Sequence, residues 1–265
     1  GATLDPGFFA KNVTRDAFTA GVYSKYGFVP VLDTLKGVAD IIGKKQIYYD
    51  YMASGISKST LTGIDRPSLA KTIQGLGKPE LWNNYNPIQL LRNMTDFFES
   101  ATRIREFEKA KKAGADLTGQ IREGQEVTLN FAQRGAKGLT PNALIAFFNA
   151  QVQGVNKMIE AHKTDPIGTA SKAALYLTAP SVGLWLLNHD DIRYQELPAY
   201  QRDLFWIVPT GEKLTKERFD ALLKSGKSKQ QIMNEAGVLI RIPKPFELGI
   251  VYGSLPERLL DYAVS

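Results

Sequence analysis

The periodic apolar residues between Leu90 and Phe107 constrain the fold of this chain more than any other feature. They recur at spacings of three and four, as one face of an amphipathic α-helix requires. Asn86 followed by Pro87 is a helix start signal, and Gly114 ends the pattern after a basic last turn. The sequence therefore predicts one long amphipathic helix that begins near Pro87. The apolar series is Leu90, Leu91, Met94, Phe97, Phe98, Ala101, Ile104 and Phe107.

Helical patterns occupy most of the remaining chain. Thr140 followed by Pro141 repeats the cap-and-proline start signal, and Gly135 closes the helix before it. Gly119 and Gly124 weaken the helical pattern of that preceding segment. The predicted helices are residues 15–25, 30–53, a shorter one after Asp65 with Pro67 in its first turn, 117–133, 140–162 and 256–263.

Residues 167–187 form the most apolar stretch of the chain, and its length approaches that of a transmembrane span. Lys172 and Pro180 interrupt it. We therefore expect a buried helix, or a helix pair broken near Pro180. The alternative is a segment that inserts into a bilayer under some condition.

Two short runs near the C-terminus are typical of β-strands. They are residues 204–208, stopped by Pro209, and residues 238–242, stopped by Pro243. The runs can pair as antiparallel strands, and residues 213–236 between them predict one or two short helices inserted in the hairpin connection. The predicted fold class is mostly α: a multi-helix domain with one small antiparallel β-hairpin near the C-terminus.

The length of 265 residues fits one large domain or two small ones. We expect an N-terminal helical segment at residues 1–85 and a helical domain at residues 86–265, with residues 213–236 as an insertion. The chain begins with Gly1 rather than Met, and no signal-peptide pattern precedes the first helix. From this we expect a piece of a longer protein.

The composition excludes several kinds of site. There is no cysteine, so disulfides and thiolate metal sites are excluded, and the only histidines are His162 and His189. His189 precedes Asp190 and Asp191, but neighbouring carboxylates point in different directions, and a loop cap is the preferred interpretation. The net charge of +6 permits a nucleic-acid or anionic membrane partner, yet the basic residues are spread along the chain, as is typical of solubility.

No catalytic pattern stands out. The chain has no GxSxG, Walker or HExxH motif, and carboxylate pairs such as Glu106 with Glu108 have no pocket signature around them. We therefore predict no enzyme activity, no catalytic residue, no cofactor and no metal ligand, and no small-molecule substrate is expected.

Polar residues lie among aromatic ones in the run from Asn130 to Gly154, which is unusual for a helix. Asn149, Gln151 and Gln153 follow Phe147 and Phe148, and Gly154 ends the run. A polar-aromatic groove is one interpretation. Helix packing is preferred, because aromatic residues at helical spacing are usually core and a glycine permits a close helix approach.

Three stretches resemble the phage large polyvalent protein-associated domain, type thirty-eight, and related regions of internal virion proteins. The first is Glu99 to Arg103, continuing to Phe107, and the second is the Asn130-to-Gly154 run. The third, Arg241 to Gly249 followed by Gly253 to Arg258, is the most specific because it contains the string Pro-Lys-Pro-Phe-Glu-Leu-Gly. Together the stretches span roughly residues 90 to 260.

The resemblance implies a structural or assembly module of a large bacteriophage internal virion (ejection) protein that takes part in genome delivery. Its expected partners are other copies of itself and other virion proteins, with DNA or host-membrane contact left open. Its expected location is the virion, with delivery to the host envelope or cytoplasm. The alternatives are a nucleic-acid-binding module of a large polyvalent protein or virion polymerase, and a domain of an unrecognised enzyme.

The candidate residues are therefore packing or interface residues. Glu99 and Arg103 form a favourable i,i+4 pair, for which a packing role is preferred. Pro243 and Pro245 fix a rigid corner after which Phe246 and Leu248 can dock, and Glu247 can bond Arg241 or Arg258. The full set is Glu99, Arg103, Asn130, Arg134, Phe147, Phe148, Asn149, Gln153, Gly154, Pro243, Lys244, Pro245, Phe246 and Glu247.

Overall fold

The computed structural model describes residues 6–56, 87–128 and 148–264. Two compact units divide the chain, unit 1 at Gly1–Thr169 and unit 2 at Ala170–Ser265. The described residues are mostly helical and contain one two-stranded antiparallel sheet, so the predicted fold class is confirmed. The domain division predicted at residues 85 and 86 stays a prediction.

Unit 1 is built around one long helix, α4. The helices α1, α2, α3 and α5 all contact it. Its buried face carries Phe97, Ala101, Ile104 and Phe107 from the predicted apolar series, and Ile104 and Phe107 form a core cluster with Tyr51 and Ile56. The described helices are α1 (Pro6–Tyr23), α2 (Leu32–Ile42), α3 (Gln46–Ala53), α4 (Pro87–Lys112), α5 (Leu117–Glu126) and α6 (Phe148–Thr164).

The long helix confirms its sequence signals where they lie in the described residues. It begins at Pro87 and ends at Lys112, and Gly114 follows in the left-handed conformation with φ of 85°. Its last turn carries three lysines that complement the helix dipole. The predicted cap Asn86 lies outside the described residues.

The helix predicted at residues 30–53 is wrong in one respect, because the structure has two helices there. Gly43 is the C-cap of α2, and Lys44 adopts a positive φ of 46°, which stops the helix before α3 begins. The helix predicted at residues 15–25 begins earlier, at Pro6. Other predicted features lie outside the described residues: the helix after Asp65, residues 129–133 with Gly135, and the start signal at Thr140 and Pro141.

Unit 2 contains the predicted hairpin and its helical insertion. Strand β1 (Phe205–Pro209) pairs antiparallel with β2 (Leu239–Pro243), with Phe205 opposite Pro243. Two helices, α11 (Lys216–Lys224) and α12 (Lys229–Glu235), lie in the connection, as predicted. The other elements are a π-helical segment π1 (Ala174–Thr178), α8 (Ala179–Asn188), α9 (Ile192–Gln195), α10 (Ala199–Leu204), α13 (Phe246–Gly249), a second π-helical segment π2 (Ile250–Ser254) and α14 (Leu255–Val264); α7 (Pro166–Ala173) precedes π1.

The apolar stretch at residues 167–187 differs from the predicted buried helix. The expected break near Pro180 takes the form of π1, in which the Ala179 N–H donates to Ala174 O, five residues back. Proline has no N–H and its ring clashes with the carbonyl four residues back, and a wider π-turn relieves both problems. Leu177 is buried on one face, whereas Leu175 is exposed on the other. No helix among the described residues is long and apolar enough to cross a membrane.

Candidate functional site

Lys244 lies between the two prolines of the predicted corner and directs its amine into the interior of unit 2. Its side chain is 2% exposed, and Nζ lies 2.7 Å from Glu257 Oε2. Nζ also donates to Ser254 Oγ at 3.2 Å and to Arg202 O at 3.0 Å. All three ammonium hydrogens therefore have an acceptor within unit 2.

Glu257 and two neighbouring hydroxyls complete a buried polar cluster. Ser181 of α8 bonds the Glu257 side chain and accepts a hydrogen bond from Trp206 Nε1 at 2.6 Å. We call Lys244, Ser254, Glu257, Ser181 and Trp206 the Lys244 cluster. It links β1 and the end of β2 to α8, π2 and α14.

Electrostatics favour a structural role for the Lys244 cluster. Burial lowers the pKa of Lys244 and raises the pKa of Glu257, while the charge of each partner opposes these shifts. The amine is fully used by its three acceptors, so it is not poised as a base or nucleophile. The arrangement holds elements of unit 2 together.

Two glycines let the backbone approach this cluster. A Cβ at Gly249 would lie 2.7 Å from Lys244 Cβ, and a Cβ at Gly253 would lie 2.8 Å from Ser181 Oγ. Such separations are too short for a real Cβ, so any side chain there would displace the cluster. The close approach is the physical reason for glycine at both positions.

The C-terminal helix formed by α13, π2 and α14 has an unusual distribution of polarity. Its residues of the exposed class are all apolar or aromatic, while Glu257 is buried. Soluble helices normally place charge outside. We define the apolar face of this helix as five side chains, which are 42% to 86% exposed: Phe246, Ile250, Leu255, Leu259 and Tyr262.

The π-helical segment aligns this apolar face. The five residues follow one another at steps of four, five, four and three, and the step of five lies between Ile250 and Leu255. That step spans π2, in which the Leu255 N–H donates to Ile250 O. A π-turn holds about one residue more than an α-turn, so both side chains stay on the same side of the helix.

A second helix of unit 2 also exposes apolar residues. No charged residue occurs between Lys172 and His189. Leu175, Leu186 and Leu187 are each more than half exposed. Both helices therefore bury polar groups beside apolar ones and also present apolar surface, which is unusual for helices exposed to water.

Arg193 binds the two backbone segments that flank the inserted helices α11 and α12, near residues 210–214 and 236–239. We call these two segments the neck of the insertion. Its guanidinium pairs with buried Asp191 at 2.6 Å and donates to the backbone carbonyls of Thr210, Glu212 and Ala236. These carbonyls lie on both sides of the insertion. The fork of arginine donors thus ties the two ends of the insertion together.

The basic residues of the insertion are mostly paired with carboxylates, which gives no continuous cationic surface there. A nucleic-acid groove would need such a surface. The ion pairs are Lys213 with Asp190, Arg218 with Glu212, Lys227 with Glu235 and Lys229 with Glu196.

The apparent metal pattern at residues 189–191 has a structural explanation. Asp191 caps α9 by accepting from the Arg193 N–H, as the loop-cap interpretation predicts. Asp190 pairs with Lys213, and the His189 ring stacks on Trp185 with centroids 4.7 Å apart. In the described ranges, no group of three or more His, Cys, Asp or Glu residues could hold a metal ion.

In unit 1, the predicted pair of Glu99 and Arg103 is formed and buried. Arg103 Nη2 lies 2.6 Å from Glu99 Oε1, and Thr128 Oγ1 bridges the pair, accepting from Arg103 Nε at 2.9 Å. Burial raises the pKa of Glu99 to about 7 against the opposing charge of Arg103. The pair connects α4 with the residues that follow α5.

The remaining candidates in the Asn130-to-Gly154 run are only partly described. Gly154 is buried in α6, and its role in close packing stays a prediction. The backbones of Phe148, Asn149 and Gln153 belong to α6, but their side chains lie outside the described part of the structure, as do Asn130, Arg134 and Phe147 altogether.

The docking predicted after the proline corner is half confirmed. Leu248 is buried, whereas Phe246 is exposed and begins the apolar face. Arg258 pairs with Asp203 at 2.8 Å. The proposed bond of Glu247 to Arg241 or Arg258 stays a prediction.

Sequence reasoning missed Ser181, Ser254 and Glu257 as partners of Lys244. They lie 63, 10 and 13 positions from it, and no local spacing rule connects them. The one local signal is the pair of flanking prolines, which ends the strand before Lys244 and fixes a corner there but does not indicate where its side chain points.

Comparison with known proteins finds a family match for part of unit 2. Residues 191–264 match the family model described as large polyvalent protein associated domain 38. The resemblance to this phage-associated domain is thereby confirmed for that part of the chain, which contains Lys244, Ser254, Glu257 and Trp206. No curated protein and no solved structure matches the chain.

The family match is shorter than the resemblance predicted from sequence. Its 74 residues include the third stretch, from Arg241 to Arg258. The first two stretches, Glu99 to Phe107 and Asn130 to Gly154, lie outside the matched residues. The matched part of the chain therefore resembles a domain of large polyvalent phage proteins.

Proposed function

We propose that this chain is an assembly module of a large phage virion protein, and that it takes part in delivery of the genome into the host. The family match at residues 191–264 supports the phage polyvalent setting. The observation that carries the assembly role is the apolar face of the C-terminal helix, which lies within the same matched residues.

The physical basis is the cost of exposing this surface. Ile250, Leu255 and Leu259 are each at least half exposed, and Tyr262 is 86% exposed. Burying such a side chain completely is worth about 1.5–3 kcal/mol relative to full exposure, so covering a half-exposed one gains roughly half of that. Covering the apolar face with another polypeptide therefore supplies a driving force for association that the isolated chain leaves unused.

A second copy of this chain is the partner that we assign to the apolar face. The five residues that define the face carry no charge, so two copies related by a two-fold axis would place no like charges opposite each other. The net charge of +6 would oppose association through a charged surface, but it acts weakly across an uncharged one.

The proposed module is not catalytic. Its most buried ionisable groups in unit 2, Lys244 with Glu257 and Asp191 with Arg193, bind each other and the backbone. A catalytic acid or base instead needs an open position beside the substrate. These pairs stabilise the packing of unit 2, which contains the helix that carries the apolar face.

Sedimentation velocity of the chain over a range of concentrations tests the assembly role. We expect reversible association, and we expect Leu259→Glu to weaken it at least tenfold because a charge would be buried within the contact. Leu223→Glu is the matched control: it places the same charge at an exposed leucine of α11, outside the apolar face, and should leave association unchanged.

Two outcomes would contradict the proposal. One is a protein that stays monomeric at concentrations on the order of 100 μM, because a dissociation constant above that value is weak even for a transient contact. The other is association that Leu259→Glu leaves unchanged.

Flotation with anionic phospholipid vesicles that depends on Leu259 would assign the face to a lipid surface instead. Mass spectrometry of purified particles tests the virion setting, since absence of the polypeptide would refute it.

A further inference from the structure

Helix α2 of unit 1 has an inverted distribution of polarity. A helix that packs on a domain normally buries its apolar side and exposes its polar side. In α2, Leu32 is 58% exposed, Leu35 is 54% exposed and Ile42 is 58% exposed. The buried residues of the helix are polar or glycine: Asp33, Thr34, Gly37 and Asp40.

Contacts with α4 hold the polar side of α2 inward. Asp33 Oδ2 lies 2.8 Å from Lys109 Nζ, and Asp40 Oδ2 lies 2.9 Å from Arg105 Nη1. Gly37 lies against the backbone of α4, where a side chain would not fit. A rotation of α2 that buried its leucines would break both ion pairs, so the apolar side stays on the outside of unit 1.

The charges of residues 29–49 are divided in the same way. The acidic residues of this stretch, Asp33 and Asp40, are 2% and 3% exposed, and cations of α4 compensate them from within the unit. Its basic residues are Lys36, Lys44 and Lys45, and all three are exposed. The side chains of Lys36 and Lys45 remain 64% and 61% exposed although they also approach the two aspartates. The outer surface of the stretch therefore presents positive charge and no negative charge.

The exposed apolar residues of α2 and the lysines form one surface. Steps of three, four and seven residues separate Leu32 or Val31 from Leu35, and Leu35 from Ile42, which places these side chains on one side of the helix. Lys36 follows Leu35 directly, and Lys44 and Lys45 follow the end of the helix. We call this surface the α2 face. It consists of Val31, Leu32, Leu35, Ile42, Lys36, Lys44 and Lys45.

We propose that the α2 face binds the surface of an anionic phospholipid bilayer. Leucine and isoleucine side chains enter the boundary between headgroups and acyl chains, while lysines extend along that boundary and place their amines near lipid phosphates. The helix has 11 residues, which is about half the length of a membrane span, so it lies on the bilayer and does not cross it.

The two other occupants of such a surface fit less well. A nucleic acid would attract the lysines, but it would leave Leu32, Leu35 and Ile42 in water. A second copy that docked by the same face would cover the apolar residues, but it would bring two sets of like charges together. An anionic lipid surface satisfies the apolar and the cationic residues at once. This inference concerns unit 1 and goes beyond the assembly role proposed for unit 2.

Flotation of the intact chain with phosphatidylcholine vesicles, with and without phosphatidylserine, tests the α2 face. We expect binding to the vesicles that contain phosphatidylserine, and we expect added salt to weaken it. Leu35→Glu should lower this binding at least tenfold, because it places a charge where an apolar side chain enters the lipid. Leu117→Glu is the matched control: it makes the same change at a 58% exposed leucine of α5, outside the α2 face, and should leave binding unchanged.

The lysines give a second and separate signature. Lys36→Gln and Lys44→Gln should each lower the affinity for vesicles with phosphatidylserine about fivefold, as expected for one cation near an anionic membrane. Neither substitution should alter any residual affinity for pure phosphatidylcholine. A lysine effect of the same size with both kinds of vesicle would contradict the charge recognition.

A nitroxide label measures the contact directly. The chain has no cysteine, so Leu35→Cys provides a single labelling site. With phosphatidylserine vesicles, a label at this position should become more accessible to oxygen and less accessible to a water-soluble nickel complex. A label at Leu117→Cys should keep its accessibility to both. A Leu35→Cys label that stays in water while the chain floats with the vesicles would refute the contact.

Three further results would overturn the proposal. The first is no flotation with either lipid at low ionic strength, and the second is equal flotation of the wild type and a Leu35→Glu variant whose circular dichroism is unchanged. The third is self-association that Leu35→Glu abolishes, which would assign the α2 face to a second copy. The assembly role of unit 2 fails separately, because sedimentation of Leu259→Glu without vesicles measures it. Flotation lost in Leu259→Glu but kept in Leu35→Glu would place the lipid contact in unit 2 and refute the α2 face.

Discussion

The hydroxyl of Thr178 donates a 2.6 Å hydrogen bond to the backbone carbonyl of Tyr252. The two residues belong to the two π-helical segments of unit 2, and each segment precedes a proline at the second position of the next helix, Pro180 or Pro256. Pro256 lies four residues after Tyr252 and has no N–H to give to that carbonyl. A side chain from the other π-helical segment supplies the donor.

Thr178→Val should therefore destabilise unit 2. Valine keeps the shape of threonine but cannot donate to the Tyr252 carbonyl, for an expected loss of about 0.5–1.5 kcal/mol in the free energy of unfolding. Urea denaturation followed by tryptophan fluorescence measures it, since Trp185 and Trp206 lie in this unit. Thr178→Ser retains the hydroxyl and should lose clearly less; equal losses would show that the hydrogen bond is not the cause.

Gly37→Ala should destabilise unit 1 strongly. A Cβ at this position would overlap the backbone carbonyl of Ala101 in α4, and neither backbone can rotate away as a side chain can. We expect a loss of about 1–3 kcal/mol or more, as for other overpacked cores.

Gly183→Ala is the matched control for Gly37→Ala, because a Cβ there meets nothing within 4 Å and the residue also lies in a helix. This substitution should raise helix stability by up to about 1 kcal/mol. Thermal unfolding of both variants measures the contrast. A Gly37→Ala protein as stable as the wild type would mean that α2 does not approach α4 as closely as the structure has it.

The buried pair of Lys244 and Glu257 should show strong coupling in a double-mutant cycle. Lys244→Met or Glu257→Leu alone leaves the partner charge buried, with an expected cost of about 3–5 kcal/mol. The double variant removes both charges and should cost much less than the sum of the two. Urea denaturation of the four proteins measures the coupling, and additive losses would contradict a buried, mutually dependent pair.

Local signals in the sequence account for most of the secondary structure. Pro87 marks the start of α4, and the stop signals at Pro209 and Pro243 mark the ends of the two strands, because proline limits the backbone in a way that tertiary contacts do not override. The break between α2 and α3 escaped prediction although Gly43, the C-cap of α2, is a local stop signal; the left-handed Lys44 beside it gives no signal of its own.

The orientation of the helical faces could not be predicted in the same way. Phe246, Leu255 and Tyr262 repeat at helical spacing, which ordinarily identifies a core face. In this helix the core side instead carries Glu257, whose charge is compensated by a lysine from another element. The lysine that compensates this charge comes from outside the helix, and no local pattern contains that information.

Arg193→Lys should loosen the neck of the insertion without unfolding unit 2. Lysine can still pair with Asp191, but a single ammonium cannot reach the carbonyls on both sides of the neck as the arginine fork does. We expect hydrogen-exchange protection of residues 210–214 and 236–239 to fall about tenfold, equivalent to one or two hydrogen bonds. Arg218→Lys, at a half-exposed pair with Glu212, is the control and should leave protection nearly unchanged. If the two variants behave alike, the neck is held by the β-hairpin itself and Arg193 is not its fastening.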